Sequence, residues 1–194
     1  MTLRVTGLLL NVESAGAGRP LLLLHGFSGS IATCRPHLAR FAEHRRTIVL
    51  DLIGHGQSAA PADSERYRME PCVEDLLPEH DTQEVARVDL LGYSMGGRVG
   101  LHFAAAAPER VEALVLESTS PGLANAAEWE ARAAADEALA VSIERDGFEA
   151  FVDRWDLLPL FSSQAALPSA ARAHLTVVPR AGHAVHLEEP AAFE

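Results

Sequence analysis

Two short apolar runs, each leading straight into a glycine-bearing turn, constrain this chain most. Leu21-Leu22-Leu23-Leu24 is followed by His25-Gly26, and Val88-Asp89-Leu90-Leu91 by Gly92-Tyr93-Ser94-Met95-Gly96-Gly97. Such runs read as strands buried on both faces, which needs a mostly parallel sheet covered by helices. The rest of the chain agrees, because Leu- and Val-rich runs alternate with Ala-rich, helix-like stretches. Strands are predicted at about 3–12, 20–24, 46–51, 87–92, 111–116 and 175–178. Helices are predicted at 31–43, 70–79 and 95–107, the last stopping before Pro108, whose ring obstructs continuation. The fold class is therefore α/β. From Pro121 to about Leu167 the sequence turns helical, charged and aromatic, which reads as a helical lid over the sheet's carboxyl edge. The predicted organisation is a core, first part, at 1–120, a lid at 121–167 and a shortened C-terminal core part at 168–194.

Composition narrows the function. A chain of 194 residues, 48% hydrophobic and 22% charged, is long enough for one globular domain with its own core. The net charge of -11, with every one of the 16 basic residues an arginine, argues against nucleic acid and against an anionic membrane surface. An anionic ligand has to be met by a few well-placed arginines. No apolar run approaches the roughly 18 residues that span a bilayer. The start, Met1-Thr2-Leu3-Arg4, lacks a secretion-signal pattern, so a cytoplasmic location is expected. Cys34 and Cys72 have no metal-type spacing and read as reduced thiols. No metal or organic cofactor is indicated, since ligand clusters, a P-loop lysine and a dinucleotide fingerprint are all lacking.

The chemistry concentrates at turns. Gly92-Tyr93-Ser94-Met95-Gly96 fits G-x-S-x-G between a strand and a helix, where a sharp turn lifts a serine hydroxyl above the sheet. The first N–H groups of the helix then face any negative charge developing beside Ser94. After His25-Gly26, the backbone N–H of Phe27 can pair with that of Met95 to cradle an oxyanion, each donor contributing about 3 kcal/mol to a transition state. In Asp51-Leu52-Ile53-Gly54-His55-Gly56-Gln57-Ser58 the polar side chains are expected to fix the loop by local hydrogen bonds. Near the end, Arg180-Ala181-Gly182-His183 places a histidine on a glycine-released loop, suited to take the serine's proton, with His186 as a second candidate for capping or lining the pocket.

Six segments together resemble a known family: HGFSGS at 25–30, DLIGHGQS at 51–58, GYSMGGR at 92–98, PERVEALVLESTSPGL at 108–123, WDLLPLFSSQ at 155–164 and PRAGHAVHLEEP at 179–190. They resemble the α/β-hydrolase fold and, within it, the 2-succinyl-6-hydroxy-2,4-cyclohexadiene-1-carboxylate synthases of menaquinone biosynthesis. The resemblance implies a lyase in which Ser94 and His183 remove a C–H proton and pyruvate is expelled, with no acyl-enzyme. It implies that Arg98, one helical turn past Ser94, meets a substrate carboxylate, and that Tyr93 and Trp155 line the pocket. Arg132, on the first lid helix, is a candidate second contact for a small anionic dicarboxylate, its rival reading being a solvated helix face; the family tends to carry a further arginine where this chain has Trp129. No nucleic acid or membrane partner is implied, and oligomeric state is left open.

The chain also departs from the family. Only Ala165 to His174 stand where the family has the rest of its lid, a strand bearing the triad aspartate, and a helix. Ser94 and His183 are 89 positions apart, too few for those elements. Glu117, at the end of the strand 111–116, is the substitute acid visible in the sequence; its rival reading is a carboxylate that orders the loop into the lid. Three readings follow: the lyase, a general carboxylesterase of the same fold, and an inactive relative lacking the triad acid.

Overall fold

A computed structural model of the chain describes residues 2–82 and 86–158. Strand β1 (Thr2–Val5) and strand β2 (Leu8–Ala15) form an antiparallel hairpin, with Thr2 opposite Asn11 and Val5 opposite Leu8. The single strand expected at 3–12 is thus two. Thr6 and Gly7 both hold positive φ, 46° and 88°, the backbone that a two-residue hairpin loop demands. Threonine disfavours this conformation, and here its hydroxyl is bonded to the buried Asp75, which also accepts from Arg66 at 2.7 Å.

The remaining elements follow the predicted alternation: β3 (Pro20–Leu24), α1 (Ile31–Phe41), β4 (Arg46–Leu50), α2 (Met69–Thr82), β5 (Val88–Tyr93), α3 (Met95–Ala106) and β6 (Val111–Glu117). Two lid helices, α4 (Ala126–Asp146) and α5 (Phe148–Asp156), come next, parted by Gly147 at φ 85°. The strand order is β1-β2-β4-β3-β5-β6, with β4, β3, β5 and β6 mutually parallel and β2 antiparallel to β4. After β3 the chain moves to one side to form β4, then returns to the other side of β3 to form β5. This reversal opens a crevice at the carboxyl ends of β3 and β5, where open parallel sheets bind ligands.

Burial explains why these runs are strands. Leu22 and Leu24 point into one layer with Ile48, Leu50, Leu90 and, from α2 and α3, Leu76, Val99 and Phe103. Leu21, Leu23 and Val49 point into the other with Ile31 and Leu38 of α1. The period-two split of one leucine run between two cores is what a strand covered on both faces requires. Ser30 caps α1 by accepting from the Ala32 N–H at 3.2 Å. Both cysteines are free thiols, Cys72 buried and pushed up to about 12, Cys34 half-buried and pushed up to about 11, each mainly by loss of solvent.

Candidate active site

Ser94 is the one residue between β5 and α3, and it sits at φ 52°, ψ −111°, a strained conformation for a residue with a Cβ. Crowding keeps it there. A Cβ on Gly92 would lie 2.5 Å from the Gly96 oxygen, one on Gly96 2.3 Å from the Leu24 oxygen, and one on Gly97 1.9 Å from the Thr119 hydroxyl. Only glycine at these positions lets helix start, strand end and neighbouring loop meet. The Ser94 N–H donates to the Glu117 carbonyl at 2.9 Å, and the Ser94 carbonyl accepts from the N–H of Gly97 and Arg98. A strained turn held from both sides in this way is the backbone arrangement expected of a nucleophile elbow.

The loop after β3 lies against this elbow. A Cβ on Gly26 would stand 2.8 Å from the Tyr93 ring and 3.6 Å from the Ser94 Cβ. The buried His25 accepts from the Leu52 N–H through Nε2 at 3.0 Å, so its proton is on Nδ1, which donates to the Gly26 carbonyl at 2.8 Å. The Gly29 N–H donates to the same carbonyl at 2.9 Å. Burial drives the His25 pKa down to about 4, keeping the ring neutral. With the Gly26 carbonyl turned away, the Phe27 N–H on the same planar peptide points the opposite way. Among the described residues no acceptor meets the Phe27 or Met95 amide.

The loop after β4 behaves as its sequence suggests. The Asp51 carboxylate accepts from the Ile31 N–H at 2.6 Å, the Asn11 amide at 2.8 Å and the Gln57 N–H at 2.9 Å. Ser58 donates to the Asp51 carbonyl at 2.5 Å. These groups are spent on structure. What sequence reasoning missed is His55, whose Nε2 reaches across to the Phe27 carbonyl at 2.8 Å.

The lid meets the site through aromatic rings. Trp155 of α5 stands edge-on to Phe27 with centroids 5.6 Å apart, and Phe151 lies 5.2 Å from Trp155. Tyr93, whose ring lies against Gly26, is 38% exposed. Arg98 is half-buried, one turn into α3; loss of solvent lowers its pKa first, the Arg132 charge second, while Asp136 raises it. The charge of Arg132, on α4, is thus felt at Arg98, on α3. Arg132 donates from Nε to Asp136 at 2.6 Å, a pairing legible as an i,i+4 spacing but not singled out from the sequence. Among the described residues no carboxylate lies within ion-pairing distance of Arg98.

Glu117 reaches the elbow by its carbonyl, and its side chain is exposed at the end of β6. His183 and His186, the strand expected at 175–178 and the short segment 165–174 lie outside the described residues. Among the described residues no group of three metal-binding side chains occurs, and no helix is long and apolar enough to cross a membrane.

Comparison with known proteins agrees with this geometry. The chain is 44% identical over 160 residues to a putative 2-succinyl-6-hydroxy-2,4-cyclohexadiene-1-carboxylate synthase of Bacillus subtilis, a match covering 82% of this chain and 58% of that protein. It is 36% identical over 113 residues to a 2-hydroxymuconate semialdehyde hydrolase of a Pseudomonas species, covering 57% of this chain and 40% of the hydrolase. The chain thus spans about half the length of these curated relatives. The solved structure of MenH from S. aureus superposes with a TM-score of 0.75 at 31% identity, over 91% of this chain and 66% of that one. The family model described as the alpha/beta hydrolase fold matches residues 19–141, which contain the elbow, both loops and the Arg98–Arg132 pair, and the chain belongs to that family.

Proposed function

We propose that this chain is a carbon–oxygen lyase that eliminates pyruvate from 2-succinyl-5-enolpyruvyl-6-hydroxy-3-cyclohexene-1-carboxylate to give 2-succinyl-6-hydroxy-2,4-cyclohexadiene-1-carboxylate, in the cytoplasm, as a step of menaquinone biosynthesis. The observation that carries it is Arg98: a half-buried guanidinium, one turn from Ser94, with no carboxylate partner among the described residues. Burying such a charge is costly unless an anion completes the pair, and a polycarboxylate substrate does so. A neutral ester has no use for it. Arg132 supplies a second, more exposed contact, already braced by Asp136.

In this reading Ser94 and His183 together take the proton from the substrate's C–H bond. Those electrons form a double bond between C2 and C3, the existing C3–C4 double bond shifts to C4–C5, the C5–O bond to the enolpyruvyl group breaks, and the departing enolate recovers a proton as pyruvate. The Phe27 and Met95 amides stabilise the negative charge that develops on the substrate, while Tyr93 and Trp155 wall the pocket. Glu117 is the candidate acid behind His183.

The test is pyruvate release from the precursor by purified protein, followed through lactate dehydrogenase and NADH. Turnover is expected and should vanish in Ser94→Ala. Rapid hydrolysis of p-nitrophenyl esters with the precursor untouched would instead establish a carboxylesterase, and no reaction with either would establish an inactive relative.

A further inference from the structure

The two loops that flank the elbow each lend a histidine to the other. His25, after β3, takes the Leu52 N–H of the second loop; His55, in that second loop, returns to the first by setting Nε2 2.8 Å from the Phe27 carbonyl. The two rings lie 5.0 Å apart. Nδ1 of His55 stands 2.9 Å from the Ile53 carbonyl. Carbonyl oxygens only accept, so a neutral His55 bonds one of the two and an imidazolium bonds both.

The surroundings decide which bond matters. The loop carrying Ile53 is held without His55, by the three bonds to the Asp51 carboxylate, by Ser58, and by the Gly54 N–H to the Ala59 carbonyl at 2.9 Å. Among the described residues no other donor meets the Phe27 carbonyl. His25 fixes the peptide before Phe27, through the Gly26 carbonyl, and His55 fixes the peptide after it. The Phe27 N–H lies on the first of these planes, and His55, by fixing the second, limits the rotation about the Phe27 backbone that would let the first swing.

We propose that His55, protonated at Nε2, is a positioning residue that aims the Phe27 amide at the crevice above Ser94 by holding the Phe27 carbonyl. This rests on the reading of Phe27 and Met95 as the oxyanion donors. Among the described residues the charged or titratable groups that act on the ring are His25 and Asp51, and α5 reaches it through Trp155, which packs on Phe27. Loss of solvent is the leading influence and lowers the His55 pKa, while the two carbonyls and Asp51 oppose it. At neutral pH the ring is therefore uncharged and its tautomer selects the bond. Acid adds the second proton and leaves the Phe27 bond in place.

Long-range ¹H–¹⁵N spectra of the full chain labelled in its histidines read the tautomer directly, with the proton expected on Nε2 at pH 7.5. His55→Leu should lower kcat for pyruvate release on the order of 10²-fold with KM within a few-fold, the cost of a misplaced oxyanion donor. His55→Gln, whose amide can still donate to Phe27, should recover most of that rate. Exchange of the Gly29 amide should quicken in the Leu variant and not in the Gln variant. A proton on Nδ1, or Leu and Gln variants impaired alike, overturns the proposal; should His55→Leu not fold, the tautomer and the Gln variant decide it. A chain with the Nε2 tautomer that turns over neither the precursor nor an ester overturns the functional reading on which the proposal rests, so the two failures are told apart.

Discussion

The sheet's carboxyl edge and the helical pair above it are held by different forces. In β3, β4 and β5 nearly every side chain is buried or half-buried, split between two apolar layers, and the elbow is wedged in place by backbone against backbone. Helix α4 runs for 21 residues without one buried side chain. Its order comes from local devices instead: Asn125 accepts from the Glu128 N–H, Glu128 reaches back to the Ala124 N–H, and Arg132 pairs with Asp136. Among the described residues the buried anchor of the pair is in α5, through the fully enclosed Phe151 and the Trp155–Phe27 contact. The nucleophile is thus placed by a scaffold that tolerates no slack. The pocket wall is placed by one aromatic anchor, which can be removed without touching the sheet.

The largest effect is expected from adding one methyl group to the scaffold. In Gly96→Ala the new Cβ would stand 2.3 Å from the Leu24 carbonyl and 2.5 Å from that of His25, both backbone atoms of a central strand end. Neither can move without parting β3 from α3, so a loss above about 4 kcal/mol, or no folded protein, is expected in urea denaturation. A variant as stable as the parent would show that the edge has slack after all. Next comes Phe151→Ala, which should cost about 3–5 kcal/mol of lid docking. The loss should appear as faster amide exchange in α4 and α5 and easier tryptic cleavage there, with exchange in β3 and β5 unchanged. If the strands also loosen, lid and sheet are one cooperative unit and the contrast fails.

That contrast also marks what the sequence made legible. Ser94, Met95, Phe27 and the Asp51 loop were readable because each is fixed by neighbours close in sequence or by glycines whose need is local. Arg98 was singled out by the family resemblance, through the GYSMGGR segment at 92–98. The Thr6-Gly7 hairpin was not, since a threonine at positive φ is stabilised by Asp75, 69 positions away. Nor was the influence of the Arg132 and Asp136 charges on Arg98, which depends on where the fold brings α4. His55 looked like a loop-fixing residue because its partner, Phe27, is 28 positions upstream and joined only by the fold.

Acid should distinguish the two regions next. Above pH 6.5 His25 is neutral both folded and unfolded, and its burial has no linkage cost. Between pH 6.5 and about 4 the unfolded chain takes up a proton that the buried ring refuses, so stability falls as pH drops through that window. The loss amounts to about 3 kcal/mol and levels off below pH 4. His55, whose pKa is also lowered, adds to it with the same sign. Urea midpoints measured from pH 8 to pH 4 should show this slope, and His25→Asn should flatten it. An unchanged slope in that variant would move the acid sensitivity away from the scaffold.

The smallest effect belongs to the junction of the lid helices. Asp146 accepts from Arg145 and Arg154, both at 2.7 Å, and these guanidinium bonds hold its carboxyl well below the usual carboxylate range. The pairs are solvent-exposed, where water and salt screen charge and ordering two long side chains offsets the attraction. The break between α4 and α5 is set instead by Gly147 at φ 85°, which no charge is needed to maintain. Asp146→Asn should therefore leave the melting temperature and the tryptic pattern of the lid unchanged, at low salt as well as high. A drop of several degrees at low salt that disappears at high salt would mean that charge, rather than Phe151, fastens the lid, and the division between a packed scaffold and a singly anchored wall would have to be redrawn.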